Sequence, residues 1–199
     1  EMSFNDEARA AEMTFNDEER SRAWALAGYY AASAGHARPL AVWVIGPAAV
    51  GKSTLVPDLA PGLGIPRRPP TPEGHAGPPE IDAVVVDGAF FRKVHTKYQM
   101  LAKSTEWVAA YPKLKQAINR EKTDMLRAAA TERKHLIIPE TCLNLSACLA
   151  TLAELAALGY TSHVLAVTAP RDEVIRRGQA RELVEGKRYA ATEFDHSVA

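Results

Sequence analysis

One octapeptide carries the clearest chemistry in this chain. Gly46-Pro47-Ala48-Ala49-Val50-Gly51-Lys52-Ser53 fits G-x-x-x-x-G-K-[ST] at every fixed position. Such a segment suits a polyphosphate. Backbone N–H groups turned inward cradle the anion. The glycines admit conformations and a close approach that a side chain would block. The N-terminus of a following helix adds partial positive charge. Gly46, Ala49, Val50, Gly51, Lys52, Ser53 and Thr54 are therefore the candidate phosphate-binding residues. Lys52 would reach the β- and γ-phosphates, and the Ser53 hydroxyl would help to hold Mg²⁺. ATP with Mg²⁺ is the implied ligand, since no Asn-Lys-x-Asp guanine motif is found.

A loop of this kind works only between a strand and a helix, and the surrounding pattern supplies both. Leu40 to Ile45 is a short continuous apolar run ending at Gly46, as expected of a buried parallel strand. A helix is expected from about Gly51, faltering by Pro57. Further strands are expected at Ala83–Val86, His135–Ile138 and His163–Val167. Between them, residues 88 to about 132 read as mostly helical, interrupted near Tyr111-Pro112. Leu145–Leu158 reads as a helix stopped by Gly159, and Pro170 opens a basic helix to about Glu185. Residues 61–80 hold seven of the 13 prolines and four of the 12 glycines, so an irregular loop is expected there. The alternation implies an α/β fold: a P-loop kinase-like parallel sheet with helices on both faces, and no evident fifth strand.

In an open parallel sheet, ligands bind at the carboxyl ends of the strands. Here the first strand delivers the phosphate loop, the second Asp87, and the third Glu140. The fourth leads to the helix carrying Arg171, Arg176, Arg177 and Arg181. These groups should converge on one crevice. Asp87 is the candidate acceptor-facing acid and, with Ser53, a candidate metal ligand. Ala83-Val84-Val85-Val86-Asp87 continues as Gly-Ala-Phe-Phe-Arg, whereas a motor or AAA-type ATPase would show Asp-Glu. Arg181 is the first choice for contacting a transferring phosphoryl group and Arg188 the second; a solvated, ion-paired surface helix is the alternative.

Composition narrows the field. The chain has 199 residues, of which 47% are apolar and 24% charged, in keeping with one folded domain plus an extension. Lys+Arg and Asp+Glu both total 24, so a strongly basic nucleic-acid binder is not indicated. No apolar run approaches a membrane span, and no secretory signal is visible. Two cysteines, Cys142 and Cys148, make neither a disulfide framework nor a structural zinc site. A reducing location is expected, cytoplasmic or inside an organelle. The first 20 residues hold seven acids against two arginines. They include the repeats Glu1-Met-Ser-Phe-Asn-Asp-Glu7 and Glu12-Met-Thr-Phe-Asn-Asp-Glu18. Asp17–Ala34 reads as a helix with Trp24, Ala27, Tyr30 and Ala31 along one side. Residues 1–38 thus form an acidic helical extension to a domain spanning 39–199. It either packs on that domain or serves as an arm for a protein partner.

Four stretches together resemble the zeta toxin family of P-loop kinases. They are residues 46–53, Val86-Asp-Gly-Ala-Phe-Phe-Arg-Lys-Val-His95, Leu136-Ile-Ile-Pro-Glu-Thr141, and the basic segment 170–188. The resemblance covers about residues 39–190. It implies a P-loop kinase fold and ATP/Mg²⁺-dependent phosphorylation of the amino-sugar 3′-hydroxyl in UDP-N-acetylglucosamine. It further implies that Lys52 and Ser53 serve the phosphates and metal, and that Glu140, Arg92 and His95 face the sugar. Arg181, with Arg188 or Lys187, would stabilise the transferred phosphoryl group. This chain departs from the family at Ala89, which stands where the family places its second aspartate, the base on the acceptor hydroxyl. Two readings follow. One is an ATP-dependent phosphotransferase acting on a hydroxyl of a nucleotide sugar or similar small molecule, with Asp87 as the remaining acid. The other is a non-catalytic nucleotide-binding module serving as a subunit or scaffold.

Overall fold

A computed structural model describes residues 14–68 and 80–198. Strands β1 (Leu40–Ile45), β2 (Val84–Val85), β3 (Leu136–Glu140) and β4 (Thr161–Ala166) form one sheet in the order β2-β3-β1-β4. Every pairing is parallel, with Val42 opposite Ile137 on one side and His163 on the other. Among the described residues, eight α-helices surround the sheet: α1 (Asp17–Leu26), α2 (Lys52–Leu59), α3 (Gly88–Val94), α4 (Thr96–Ala102), α5 (Ala110–Thr131), α6 (Leu145–Ala157), α7 (Arg171–Glu185) and α8 (Ala191–Val198). The architecture is a P-loop kinase-like α/β fold, as the alternation of apolar runs predicts.

Side-chain alternation along β1 explains why helices lie on both faces. Ala41 and Trp43 enter the core shared with α1, α3 and α5, whose buried members include Ala23, Phe91, Leu114 and Met125. Val42 and Val44 enter a second core with Val56, Ile65, Ile81 and Ile137. Each fully buried Val or Leu contributes about 1.5–3 kcal/mol relative to exposure. A strand apolar on both faces is therefore stable only when covered twice. Pro139 fits inside β3 for a local reason. Ile137 accepts a hydrogen bond from Val86 N on the β2 side (2.8 Å), and Pro139 faces that same side beyond the end of β2. Its missing N–H costs the ladder nothing.

Several boundaries differ from expectation. The N-terminal helix starts at Asp17, where the sequence places it. Asn16 is the cap, accepting from Glu19 N at 2.8 Å in a reciprocal capping box. It ends at Leu26 rather than Ala34, because the chain turns at Gly28 (φ 84°). Its buried side chains are Glu19 and Ala23, followed by Ala27 and Tyr29, while Tyr30 is 61% exposed. The stripe through Tyr30 and Ala31 is thus not the packing face. The helical stretch after residue 88 breaks at His95 and at Lys103–Glu106, not at Tyr111-Pro112. Pro112 lies in the first turn of α5, where the absent N–H would have had no partner. Helix α2 runs on through Pro57 to Leu59, and β3 extends two residues beyond Ile138. Within the proline-rich segment, Pro61–Leu63 forms a 3₁₀ turn and Arg67 bridges Ile81, while residues 69–79 lie outside the described residues. So does the first of the two acidic repeats.

The N-terminal segment lies against α3. Phe15 sits edge-on to Phe91 and His95, with ring centroids 5.6 and 4.7 Å away. Glu19 accepts from Thr96 N at 2.8 Å, and Arg20 forms a two-pronged pair with buried Glu121 at 2.8 and 2.9 Å. Beyond α1, the carbonyl of Ala27 accepts from Val85 N (2.9 Å), closing the outer edge of β2. At the other margin β4 pairs only with β1 among the described strands, and Val164 is 54% exposed.

Candidate functional site

The loop between β1 and α2 has the backbone that a phosphate cradle requires. Gly46, Ala49 and Gly51 all have positive φ, at 149°, 64° and 104°. At Gly46 there is a second constraint. A Cβ there would stand 2.2 Å from the carbonyl oxygen of Val167, where the chain leaves β4. Only glycine lets the loop pass this close to the neighbouring strand. Helix α2 begins at Lys52 with no side-chain cap on its N-terminus. Thr54 N donates to the Gly51 carbonyl at 3.0 Å, and the earlier amides of that turn with the partial positive charge suit an anion.

Lys52 folds back over this loop. Its ammonium donates to the carbonyls of Gly46 (2.7 Å) and Pro47 (2.8 Å). Burial pushes its pKa down to about 8. The carboxylates of Asp87 and Glu140 oppose that shift, while Lys187 and Arg181 add to it. Four residues distant in sequence therefore act electrostatically on one ammonium. Ser53 and Thr54 are exposed in the first turn of α2.

Asp87 ends β2 and caps α3, with its Oδ1 accepting from Ala89 N at 2.8 Å. The second carboxylate oxygen is left for other partners. Glu140 ends β3 and is paired with Lys122 of α5 at 2.5 Å. Arg181 pairs with Glu185 one turn along α7, its Nε 2.8 Å from Oε1. Arg92 of α3 reaches the other oxygen of the same carboxylate at 3.3 Å. The Lys187 ammonium lies over the Tyr111 ring, 4.8 Å from its centroid, and burial lowers its pKa. Arg92 approaches the same ring at 5.8 Å. Arg177 leans toward the phosphate loop, 3.5 Å from the Val50 carbonyl.

The crevice thus gathers Lys52, Asp87, Glu140, Arg92 and Arg181 from the residues that the sequence nominated. Arg188 is exposed just beyond α7. His95 is placed elsewhere: it is 2% exposed, lies beneath Phe15, and caps α4 by accepting from Tyr98 N at 3.2 Å. Burial lowers its pKa. Three participants escaped sequence reading as site residues, Lys122, Tyr111 and Glu185, whereas Arg177 is one of the arginines expected at the crevice. Lys122 and Tyr111 find their partners on other elements, and Glu185 gains Arg92 besides the Arg181 of its own helix. Leu114, Ile118, Glu121 and Met125 recur at helical spacing on the buried side of α5.

Beside the start of the phosphate loop lies a cavity of about 410 Å³ at the carboxyl ends of β1, β3 and β4. Its lining includes Gly46, Pro47, Thr141, Cys142 and Thr168, closed on one side by the end of α8. The neighbouring Cys148 thiol is pushed up to about 12 by burial, with Cys142 beside it. It is therefore a poor nucleophile. Among the described residues there is no cluster of three or more His, Cys, Asp or Glu arranged for a metal, and no helix long and apolar enough to cross a membrane.

Comparison with known proteins agrees with this geometry. A solved chain from the PezAT chromosomal toxin–antitoxin system of Streptococcus pneumoniae superposes with a TM-score of 0.65 at 16% identity. The alignment covers 93% of this chain and 73% of that one. The fold is that of a zeta toxin-like P-loop kinase. No curated protein matches the chain. The family described as an AAA domain matches residues 42–196, from the middle of β1 to the last turn of α8. Asp87 is followed by Gly88 and not by the glutamate of a motor-type ATPase, so the likeness lies in the nucleotide-binding frame. On the strength of that span, the chain belongs to the AAA-domain family of P-loop proteins.

Proposed function

We propose that this protein is an ATP-dependent phosphotransferase acting on a hydroxyl of a nucleotide sugar or a similar small molecule. The observation that carries the reading is the convergence on Lys52. A partly buried ammonium, at the end of a loop with three positive-φ residues, feels both Asp87 and Glu140, delivered by two other strand ends. Lys52 and the first amides of α2 hold the phosphates. Ser53 and the free oxygen of Asp87 would hold Mg²⁺. That donor set fits, because magnesium in such sites takes one or two protein groups and completes its shell with phosphate oxygens and water. When bound, the ion neutralises charge developing on the phosphates. Asp87 orients the acceptor hydroxyl, Glu140 positions the acceptor, and Arg181 stabilises the transferred group, with Arg188 next along the chain.

A second reading has its own observation. Ala89 offers no carboxylate, and one oxygen of Asp87 is already committed to the Ala89 amide. This favours a nucleotide-binding module without transfer, acting as a subunit and engaging a protein partner through residues 1–38. The likeness to a chain from a toxin–antitoxin system supports a partner of that kind. Calorimetry with Mg-ATP, followed by incubation with ATP and UDP-sugars, separates the readings. The phosphotransferase yields ADP in step with acceptor consumption. The module binds Mg-ATP and yields no ADP above background. Equal, negligible binding by the native protein and Lys52→Ala removes both.

A further inference from the structure

Two arginines from different elements end on one carboxylate. Arg181 of α7 and Arg92 of α3 both pair with Glu185, at opposite oxygens. The side chain of Glu185 is 26% exposed and that of Arg92 13%, so this arm of the junction is shielded from water, while Arg181 is half exposed on the other arm. Its backbone is fixed as well. The Tyr98 hydroxyl donates to the Glu185 carbonyl at 2.6 Å. The next residue, Gly186, ends the helix at φ 60°, and a Cβ there would stand 2.4 Å from that of Ala102. Glu185 therefore cannot drift with the end of its helix. Around it lie the other charges of the crevice: Arg181 and Lys187 act on Lys52, while Arg92, Glu185, Glu193 and Asp87 act on Lys187.

We infer that Glu185 is a positioning residue that competes with a polyphosphate for Arg92 and Arg181. It keeps two guanidinium groups pointed at the crevice despite their mutual repulsion, and it yields them when phosphate oxygens offer a denser negative charge. A guanidinium forks onto carboxylate and phosphate in the same planar geometry, so the exchange requires only a change of partner. The inference rests on the nucleotide-site reading above and goes beyond it, since it assigns a role to an acid facing anions that it should repel.

The test uses the whole chain, with sodium tripolyphosphate as the probe. Glu185→Gln keeps the shape of the side chain and removes its charge. Calorimetry at low salt should give tripolyphosphate binding about three- to tenfold tighter than in the native protein. The gain should shrink as salt is raised. It should vanish when Arg92 and Arg181 are both changed to Gln. A residue with a merely structural role would lower the melting temperature without tightening binding. Unchanged or weaker binding by folded Glu185→Gln, or a gain that survives loss of both arginines, overturns the inference. Should Glu185→Gln fail to fold, the arginine Nε–H signals of the native protein decide. Those of Arg92 and Arg181 should move on titration with tripolyphosphate. If they stay fixed while the Lys52 signal moves, Glu185 holds its arginines throughout and the inference fails alone. If native protein and Lys52→Ala bind neither tripolyphosphate nor Mg-ATP, the nucleotide-site reading fails and takes the competitor role with it.

Discussion

The two sides of the crevice are built by different means. On the phosphate side, residues 46–53 form a local backbone structure, and the Lys52 ammonium rests on carbonyls five and six residues back. On the opposite side, charges from α3, α5 and α7 are held by each other: Arg92 and Arg181 by Glu185, and Glu140 by Lys122. A backbone nest tolerates side-chain change at positions other than its glycines, the lysine and the metal-facing serine. A network of paired side chains is altered by changing any one member. The phosphate side is thus the conservative half of the site, and the arginine side is the half in which chemistry can be gained or lost.

The strongest way to break this comparison is Lys52→Ala. Mg-ATP affinity should fall by about 100-fold or more, because a buried charge-assisted contact to phosphate is removed. Titration calorimetry measures it, and a loss under threefold would mean that the phosphate side does not bind phosphate. Next in size is Ala89→Asp, which restores a carboxylate in the first turn of α3, where an acid also suits the helix dipole. ADP formation with an acceptor should rise by about 10- to 100-fold; no rise in a folded variant that still binds Mg-ATP favours the non-catalytic module. A pH series sharpens the contrast further. Lys52 has its pKa held down to about 8 by burial, so it is charged at pH 7 and loses its proton as the pH rises past 8. Phosphate favours the charged form, so affinity should be level below pH 7 and fall above pH 8, approaching about tenfold per pH unit. Lys52→Arg, if it binds, should flatten that decline. The smallest effect is expected from Tyr98→Phe, which deletes the hydroxyl anchoring the Glu185 carbonyl. One lost hydrogen bond of about 1 kcal/mol should lower the melting temperature by about 2–4 °C. An unchanged melting temperature would mean that the anchor is dispensable.

The same division explains what could be read from sequence. The phosphate loop is contiguous, and its glycines announce positive φ, so residues 46–54 were legible without coordinates. The four strands were legible as short apolar runs, although β2 shrank to Val84–Val85 because its neighbours, not its composition, set how far pairing extends. Asp87 and Glu140 were found by a topological rule, as the residues that follow strands. Lys122 and Glu185 were not, because each looks like one more charge on an amphipathic helix until the fold supplies Glu140 or Arg92. His95 is the converse case. The family resemblance implied that it faces the sugar, but the aromatic ring of Phe15, 80 positions earlier, covers it. The end of α1 was misjudged because alanines continue past Gly28, and composition there favours a helix that the glycine turn stops.

The sheet also has one finished rim and one bare one. At β2 the Ala27 carbonyl already occupies the amide that an incoming strand would need, whereas β4 presents its outer hydrogen-bonding groups beside Val164. Among the described residues, β4 is the edge at which further β-structure can dock. Because β4 ends at the wall of the cavity that also borders the phosphate loop, any strand added there would widen the floor under the nucleotide and leave the arginine side untouched.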